Sequence, residues 1–372
     1  MRMCDNTPRT YIAGTGMITA IGADTLCTAA AINAEYSGYS ASGYSNHTGQ
    51  AITMANVPDN VFSLFPEGID GGDDYSDHAD RTIKMSLLAI KEALTVPAAC
   101  QTLPRLIPLV LVMPEPHASV DDIDHSLLIK NLIEYGGLPI SAECVTRTHT
   151  GRAGGIQGLD WAFRYLHELE YDYVLVGGSE CYLNHPRLDT LDAAQRLLAP
   201  GVMDGFVPGE GAGFLLLTRH PHYASNAHNH IVALHPPGIS EEPGHLLDDS
   251  DQPYRGDGLD LAFKQALKGH SAAGIQRIYA SLNGEHYWAK ECGVALLRNR
   301  AHFLEPISIE HPADCYGDLG TATGPILIGL AAQHLLTKQQ GPATHLVYSS
   351  SDGPTRAAVR LEKIAYPATT PG

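Results

Sequence analysis

Long apolar runs are missing from this chain: none of its stretches approaches the roughly 20 residues needed to span a bilayer. That excludes an integral helical membrane protein. The opening stretch, Met1 to Arg9, lacks the apolar core of a secretion leader, so a cytoplasmic protein is expected. Basic residues are scarce as well, with 24 Lys and Arg against 41 Asp and Glu and a formal net charge of −17. Nucleic-acid binding needs clustered cations against phosphate, so that class is set aside. The seven cysteines (4, 27, 100, 144, 181, 292 and 315) include no CxxC pair and no Cys/His zinc spacing. Free thiols in a reducing compartment follow, with no metal and no cofactor expected. The acidic stretch Gly68 to Asp80 lacks the alternate spacing and terminal Glu of a calcium loop. The GEGAG of Gly209 to Gly213 lacks the Gly-Lys-Ser/Thr ending of a phosphate-binding loop.

What is present is enough apolar residue for a large core: 44% of the chain is hydrophobic and 17% charged, which excludes disorder for most of it. Apolar runs alternate with helical patterns. Strands are expected at Tyr11 to Gly16, Leu106 to Val112, Leu138 to Thr146, and Tyr173 to Val176 before a Gly177-Gly178 turn. A Gly-rich turn over Gly205 to Thr218 leads into another strand. Helices are expected at Thr25 to Ala34, Arg81 to Leu94, Leu127 to Tyr135 and Gly154 to Glu168, the last with Ile156, Leu159, Phe163 and Leu166 on one stripe. His220 to Asn229 reads as a linker between two halves, 1–220 and 230–372. Beyond it come strands at Ile231 to Leu234 and Arg277 to Leu282, helices at Leu259 to Leu267 and Thr323 to Leu336, and a closing hairpin of His345 to Ser349 with Ala357 to Leu361. The class is α/β with mostly parallel sheets between helices.

Four segments resemble the thiolase-like superfamily, most closely the β-ketoacyl-acyl carrier protein synthases: YIAGTGMITAIG (Tyr11 to Gly22), DYVLVGGSE (Asp172 to Glu180), DGFVPGEGAGFLLL (Asp204 to Leu217) and GDLGTATGP (Gly317 to Pro325). Ser349, Gly353 and Thr355 add a weaker fifth trace. In order and spacing these cover nearly the whole chain. The resemblance implies a five-layered α/β/α/β/α fold of two similar halves, normally paired as a homodimer or a heterodimer.

The chemistry of the family is absent from the matching positions. Its condensing members attack with a Cys at a helix N-terminus, where backbone N–H groups favour the thiolate. Two histidines and a backbone oxyanion hole assist. Here the nucleophile position falls on Arg152, or on His149 if the alignment is shifted; Cys144 lies upstream on the preceding strand, as a buried filler. The first histidine position is Asn283, the second is Asp318, the lysine is Ala313 and the acid is Leu327. Asp352 takes the gatekeeping position. A guanidinium stays protonated and cannot attack a thioester.

Two readings stand at this point. In one, the chain is a subunit without decarboxylative condensing activity, like the chain-length factors that pair with a synthase, and Arg152, Asn283 and Asp318 fill the old active site as a satisfied polar network. In the other, Arg152, Asn283, Glu285, His286 and Asp318 form an altered enzyme site that takes an anionic substrate, with Cys315 as a displaced nucleophile. For Glu285 and His286 a solvent-facing turn is the preferred reading. An acyl carrier protein is a possible partner through Arg81, Lys84, Arg147 and Arg152. Ile140 to Val145 is the strand expected to pair across a dimer two-fold.

Overall fold

The computed structural model describes residues 8–65, 77–95, 103–116, 125–134, 136–248, 252–269, 274–337 and 343–367. Most of the acidic stretch from Gly68 lies outside them. The first part of the chain forms β1 (Thr10–Thr19), α1 (Thr25–Asn33), an antiparallel pair β2 (Ser40–Ser45) and β3 (Ala51–Met54), α2 (Asp77–Ala93), β4 (Leu109–Val112), α3 (His125–Glu134), β5 (Val145–Thr148), α4 (Gly154–His167), β6 (Tyr173–Cys181), α5 (His185–Ala193) and β7 (Glu210–Thr218). The second part forms β8 (His230–Leu234), β9 (Gly238–Glu241), α6 (Asp257–Ala266), β10 (Ile275–Ala280), α7 (His286–Arg298), β11 (Phe303–Glu310), α8 (Ala313–Tyr316), α9 (Thr323–Thr337), β12 (Thr344–Ser350) and β13 (Thr355–Ala365).

Ten strands lie in the order β11-β10-β12-β13-β8-β1-β7-β6-β4-β5, with β9 beside β13. Read outward from the middle, each half repeats one arrangement. The first strand meets the last antiparallel, the last meets the fourth antiparallel, and the fourth, second and third run parallel. β1 and β8 join the halves through Thr10 to Leu234 and Tyr11 to Ala233. The sheets are therefore mixed rather than mostly parallel, because the closing strand of each half turns back against its neighbours.

Alternation along the strands sorts side chains into layers. Val174 and Val176 point into a central cluster with Ile156, Leu159, Ile326 and Leu330 of α4 and α9. Their neighbours Tyr173 and Leu175 face Ile83, Leu87 and Ile90 of α2. In the second half Leu346 and Tyr348 meet Leu259 and Phe263 of α6, while Val347 faces the centre. The result is α2/α3, sheet, α4/α9, sheet, α6/α7: the α/β/α/β/α thiolase-like arrangement. The buried apolar face of a two-residue strand period against helices on both sides is what drives it.

Three local expectations are corrected. Gly177 and Gly178 form no turn; β6 runs straight through them. A Cβ on Gly177 would sit 2.2 Å from the Phe214 ring, and one on Gly178 would sit 2.8 Å from the Thr321 carbonyl oxygen. These glycines permit close packing of strand and loop. Most of Leu138 to Thr146 is not strand: Pro139 and a short 3-10 turn at Ala142–Cys144 precede β5. Cys144 is thus half-buried in that turn, not a strand core residue. GEGAG also lies mostly within β7, where Gly213 makes room for Ile326 of α9. Among the described residues no helix is long and apolar enough to cross a membrane.

Candidate functional site

Arg152 sits in the 3-10 turn Gly151–Ala153 that continues directly into α4. Gly151 makes that entry possible, with φ of 52°. The turn is stitched to the end of β12: Ser349 Oγ donates to the Arg152 carbonyl at 2.9 Å, and the Ala153 N–H donates to Ser351 Oγ at 3.0 Å. Ser351 also donates to the Thr150 carbonyl. A backbone N–H that opens a buried helix is thereby occupied by a side chain of the same protein.

Arg152 is only 6% exposed, and its guanidinium points across to the second half. It donates to Asp318 Oδ2 at 2.6 Å, to the Ser350 carbonyl at 3.0 Å and to Asp352 Oδ1. Its carbon lies 4.6 Å from the centre of the Trp288 ring, a cation–π contact. A second guanidinium, Arg196, grips Glu285 with both Nε (2.7 Å) and an NH2 (2.9 Å), and donates to Asp352 Oδ2 at 2.7 Å. Asn283 bridges the two pairs, donating to Asp318 Oδ2 at 2.8 Å and to Glu285 Oε2 at 3.0 Å. Trp288 Nε1 donates to the same Glu285 oxygen at 2.9 Å, and the Gly320 N–H donates to Asp318 Oδ1 at 2.8 Å.

The electrostatics follow from these contacts. Burial opposes ionisation of Asp318, but Arg152, the Gly320 N–H and Asn283 outweigh it and hold the carboxyl below its ordinary range. Burial also opposes the charge on Arg152, and Asp352, Asp318 and Glu285 outweigh it, so the guanidinium is held more firmly protonated than in water. Three carboxylates and two guanidiniums therefore form one closed buried network, each charge bonded within it. Such a network is a plug: its side chains are bonded to one another across the space beside the helix entry.

The structure brings together Arg152, Asn283, Glu285, Asp318 and Asp352. His286 does not join them; its side chain is 79% exposed beside Asp204, because it opens α7 one residue beyond the buried Glu285. The solvent-facing alternative thus fits His286 and not Glu285. His149 is exposed on the loop before the turn, three residues outside Arg152. Cys315 lies in α8, where burial, Asp314 and Glu35 all push its thiol up, away from the thiolate a nucleophile needs. Of the cations proposed to dock a carrier, Arg81 is held by Glu210 and Asp59, Lys84 by Asp80, and Arg152 is inside; Arg147 is exposed. Sequence reasoning missed Arg196, Trp288 and the Ser349–Ser351 clamp. The signal for the last was three consecutive serines at the end of an apolar strand, beside the Ser349 already noted.

Beside the plug is a cavity of about 810 Å³, with Asp352 and Arg196 at one wall and Leu191, Phe206, Leu247 and Pro354 among the apolar ones.

The repeated topology, the central helix pair and the buried site between the halves define a protein of the thiolase-like fold that resembles the β-ketoacyl synthases. The family described as β-ketoacyl synthase, N-terminal domain, matches residues 145–222, which span the Arg152 turn, α4, β6 and β7. Among solved structures, the ishigamide ketosynthase/chain length factor superposes with a TM-score of 0.69 at 18% identity, covering 95% of this chain and 99% of that one. The ketosynthase ApeO in complex with its chain length factor ApeC, from Xenorhabdus doucetiae, gives 0.70 at 17% identity, covering 97% and 99%. A type II polyketide synthase acyl-carrier protein in complex with its ketosynthase (AntDE:AntF) gives 0.72 at 15%, covering 96% and 99%. No curated protein matches the chain in sequence.

Proposed function

We propose that this chain is a non-condensing β-ketoacyl synthase-like subunit, comparable to a chain length factor, that works beside a related synthase in fatty acid or polyketide assembly. The observation that carries the reading is the plug: Arg152 stands at the helix entry, and its charge is consumed by Asp318 and Asp352. Asp318, at the second histidine position, is bonded to that arginine, and Asn283, at the first, is bonded to Asp318. An altered enzyme site would need one of these groups free to meet a substrate, and the geometry gives each of them to another. We also propose a division into halves 1–220 and 230–372, supported by the repeated strand order, and a cytoplasmic, dimeric protein whose partner is a second copy or a synthase. The open outer edge of β5 supports such pairing.

The test combines chemistry and mass. Purified chain is incubated with acyl and malonyl thioesters, and product, intact protein mass and native mass are measured. No condensation product, no acyl adduct and a dimer are expected. Turnover or an acyl-enzyme would overturn the non-condensing reading. A stable monomer that also fails to associate with a co-expressed synthase would overturn the partnership.

A further inference from the structure

The cavity beside the plug, about 810 Å³, has the volume of a small-molecule site. Its walls are largely apolar: Leu191 and Ala194 from α5 and its end, Phe206, Leu246, Leu247 and Pro354. Four charged side chains also reach the wall, and they balance: Arg187 and Arg196 against Glu115 and Asp352. All four are bonded inside the protein. Arg187 lies 4.0 Å from the centre of the Tyr182 ring and donates to Glu180 Oε1 at 2.5 Å. Arg196 makes two bonds to Glu285 and two to Asp352, and Asp352 accepts from Arg152 as well. The imidazoles of His149 and His245 add charge only when protonated. An ionic head that leaves water for this space therefore finds its opposite charges already paired, and its desolvation is poorly repaid.

At one place the wall is shaped for an anion. The consecutive N–H groups of Asp352 and Gly353, in the turn after β12, converge as a backbone nest, an arrangement that suits a carboxylate. Glu115 fills it, coming from the segment after β4 in the first half. Its Oε2 accepts from the Asp352 N–H at 3.1 Å and its Oε1 from the Gly353 N–H at 2.9 Å. Two glycines keep room for that carboxylate. A Cβ on Gly353 would lie 2.5 Å from Glu115 Oε1, and one on Gly151, in the Arg152 turn, would lie 3.1 Å from Oε2. The seat an external anion would take is thus occupied by the protein's own.

We propose that Glu115 is the specificity residue of this cavity: by filling the backbone seat it turns carboxylates away, and the cavity takes an uncharged molecule whose aliphatic body lies along Leu191, Phe206 and Leu247. The inference is independent of the non-condensing role; it concerns what the space outside the plug accepts. Octanol, octanoate and octylamine share a chain and differ in the head, and are titrated against the intact protein at pH 8 by calorimetry. Octanol binds about five-fold more tightly than either ion. Glu115→Ala, which empties the seat, raises octanoate affinity about ten-fold and leaves octanol within about two-fold. Circular dichroism and melting temperature check that the variant keeps its fold, and the ranking on the unaltered protein tests the ligand class without it. Octanoate or octylamine binding the unaltered protein as tightly as octanol overturns the proposal. So does a folded Glu115→Ala variant with unchanged octanoate affinity, or no binding of octanol at millimolar concentration.

Discussion

At the scale of single residues, Arg152 joins the two halves as much as it fills a site. Its turn is held by Ser349 and Ser351, and its guanidinium by Asp318, Asp352 and the Ser350 carbonyl. Removing one partner of a buried pair leaves the other charge uncompensated, which costs about 3–5 kcal/mol. Arg152→Ala is therefore expected to lower unfolding free energy by about that amount in a urea titration. Arg152→Cys is expected to destabilise similarly and to give no condensation product, since Asn283 and Asp318 supply neither histidine. The sequence offered Arg152 or His149 for this place, because the flanking motifs bracket it without fixing the register. Arg196 was not legible, because it comes from an irregular segment after α5 and meets Glu285, 89 residues away, only through the fold.

Among the elements, α4 and α9 meet closely through glycine. A Cβ on Gly155 would lie 2.3 Å from Pro325 Cδ, and one on Gly324 would lie 3.2 Å from the Gly155 Cα. Two helices approach through glycine because the Arg152 turn and the Gly317–Pro325 loop must meet between the sheets. Gly155→Ala is expected to cost at least 1–3 kcal/mol by overpacking. Gly293→Ala on α7, where a Cβ meets nothing within 4 Å, is expected to be neutral or stabilising by up to about 1 kcal/mol. Paired melting curves check both. The sequence showed Gly154 to Glu168 as a helix through its apolar stripe, and the helix runs Gly154–His167. It left α5, α7 and β11 unread. β11 mixes exposed and half-buried positions at a sheet edge, so its pattern lacks the continuous apolar run of the central strands.

For the molecule as a whole, the seam near β8 and β13 carries a titratable bridge. His235 is buried, with Nε2 2.9 Å from Glu362 and Nδ1 2.8 Å from an Arg360 NH2. Arg360 can only donate, so Nδ1 accepts and the proton sits on Nε2. Burial, with help from Arg360 and against Glu362, holds this imidazole below its ordinary pKa. The unfolded chain therefore binds more protons here than the folded one, and stability falls as pH drops through about 6.5, the ordinary histidine value, toward the lowered folded value. Asp318, also held low, adds its loss only at more acid pH, below its ordinary range near 3.9. Urea midpoints between pH 7.5 and 5 are expected to decline, and His235→Gln is expected to flatten that slope. An unchanged slope in the variant would place the acid sensitivity elsewhere.

By itself the sequence determined the alternation of strands and helices and the repeat of that alternation, and it raised the expectation that Arg152, Asn283 and Asp318 stand where the resembled family has its Cys and two histidines. Those depend on local periodicity and on short motifs, which a linear chain carries openly. Only the tertiary structure decided that Gly177 and Gly178 continue a strand, that Glu285 turns inward while His286 turns out, and that Arg196 closes the network around Asp352. Each of these rests on groups far apart in the chain meeting in a space with little water. There a charge is tolerated only beside its opposite, and a glycine is kept for the atom packed against it.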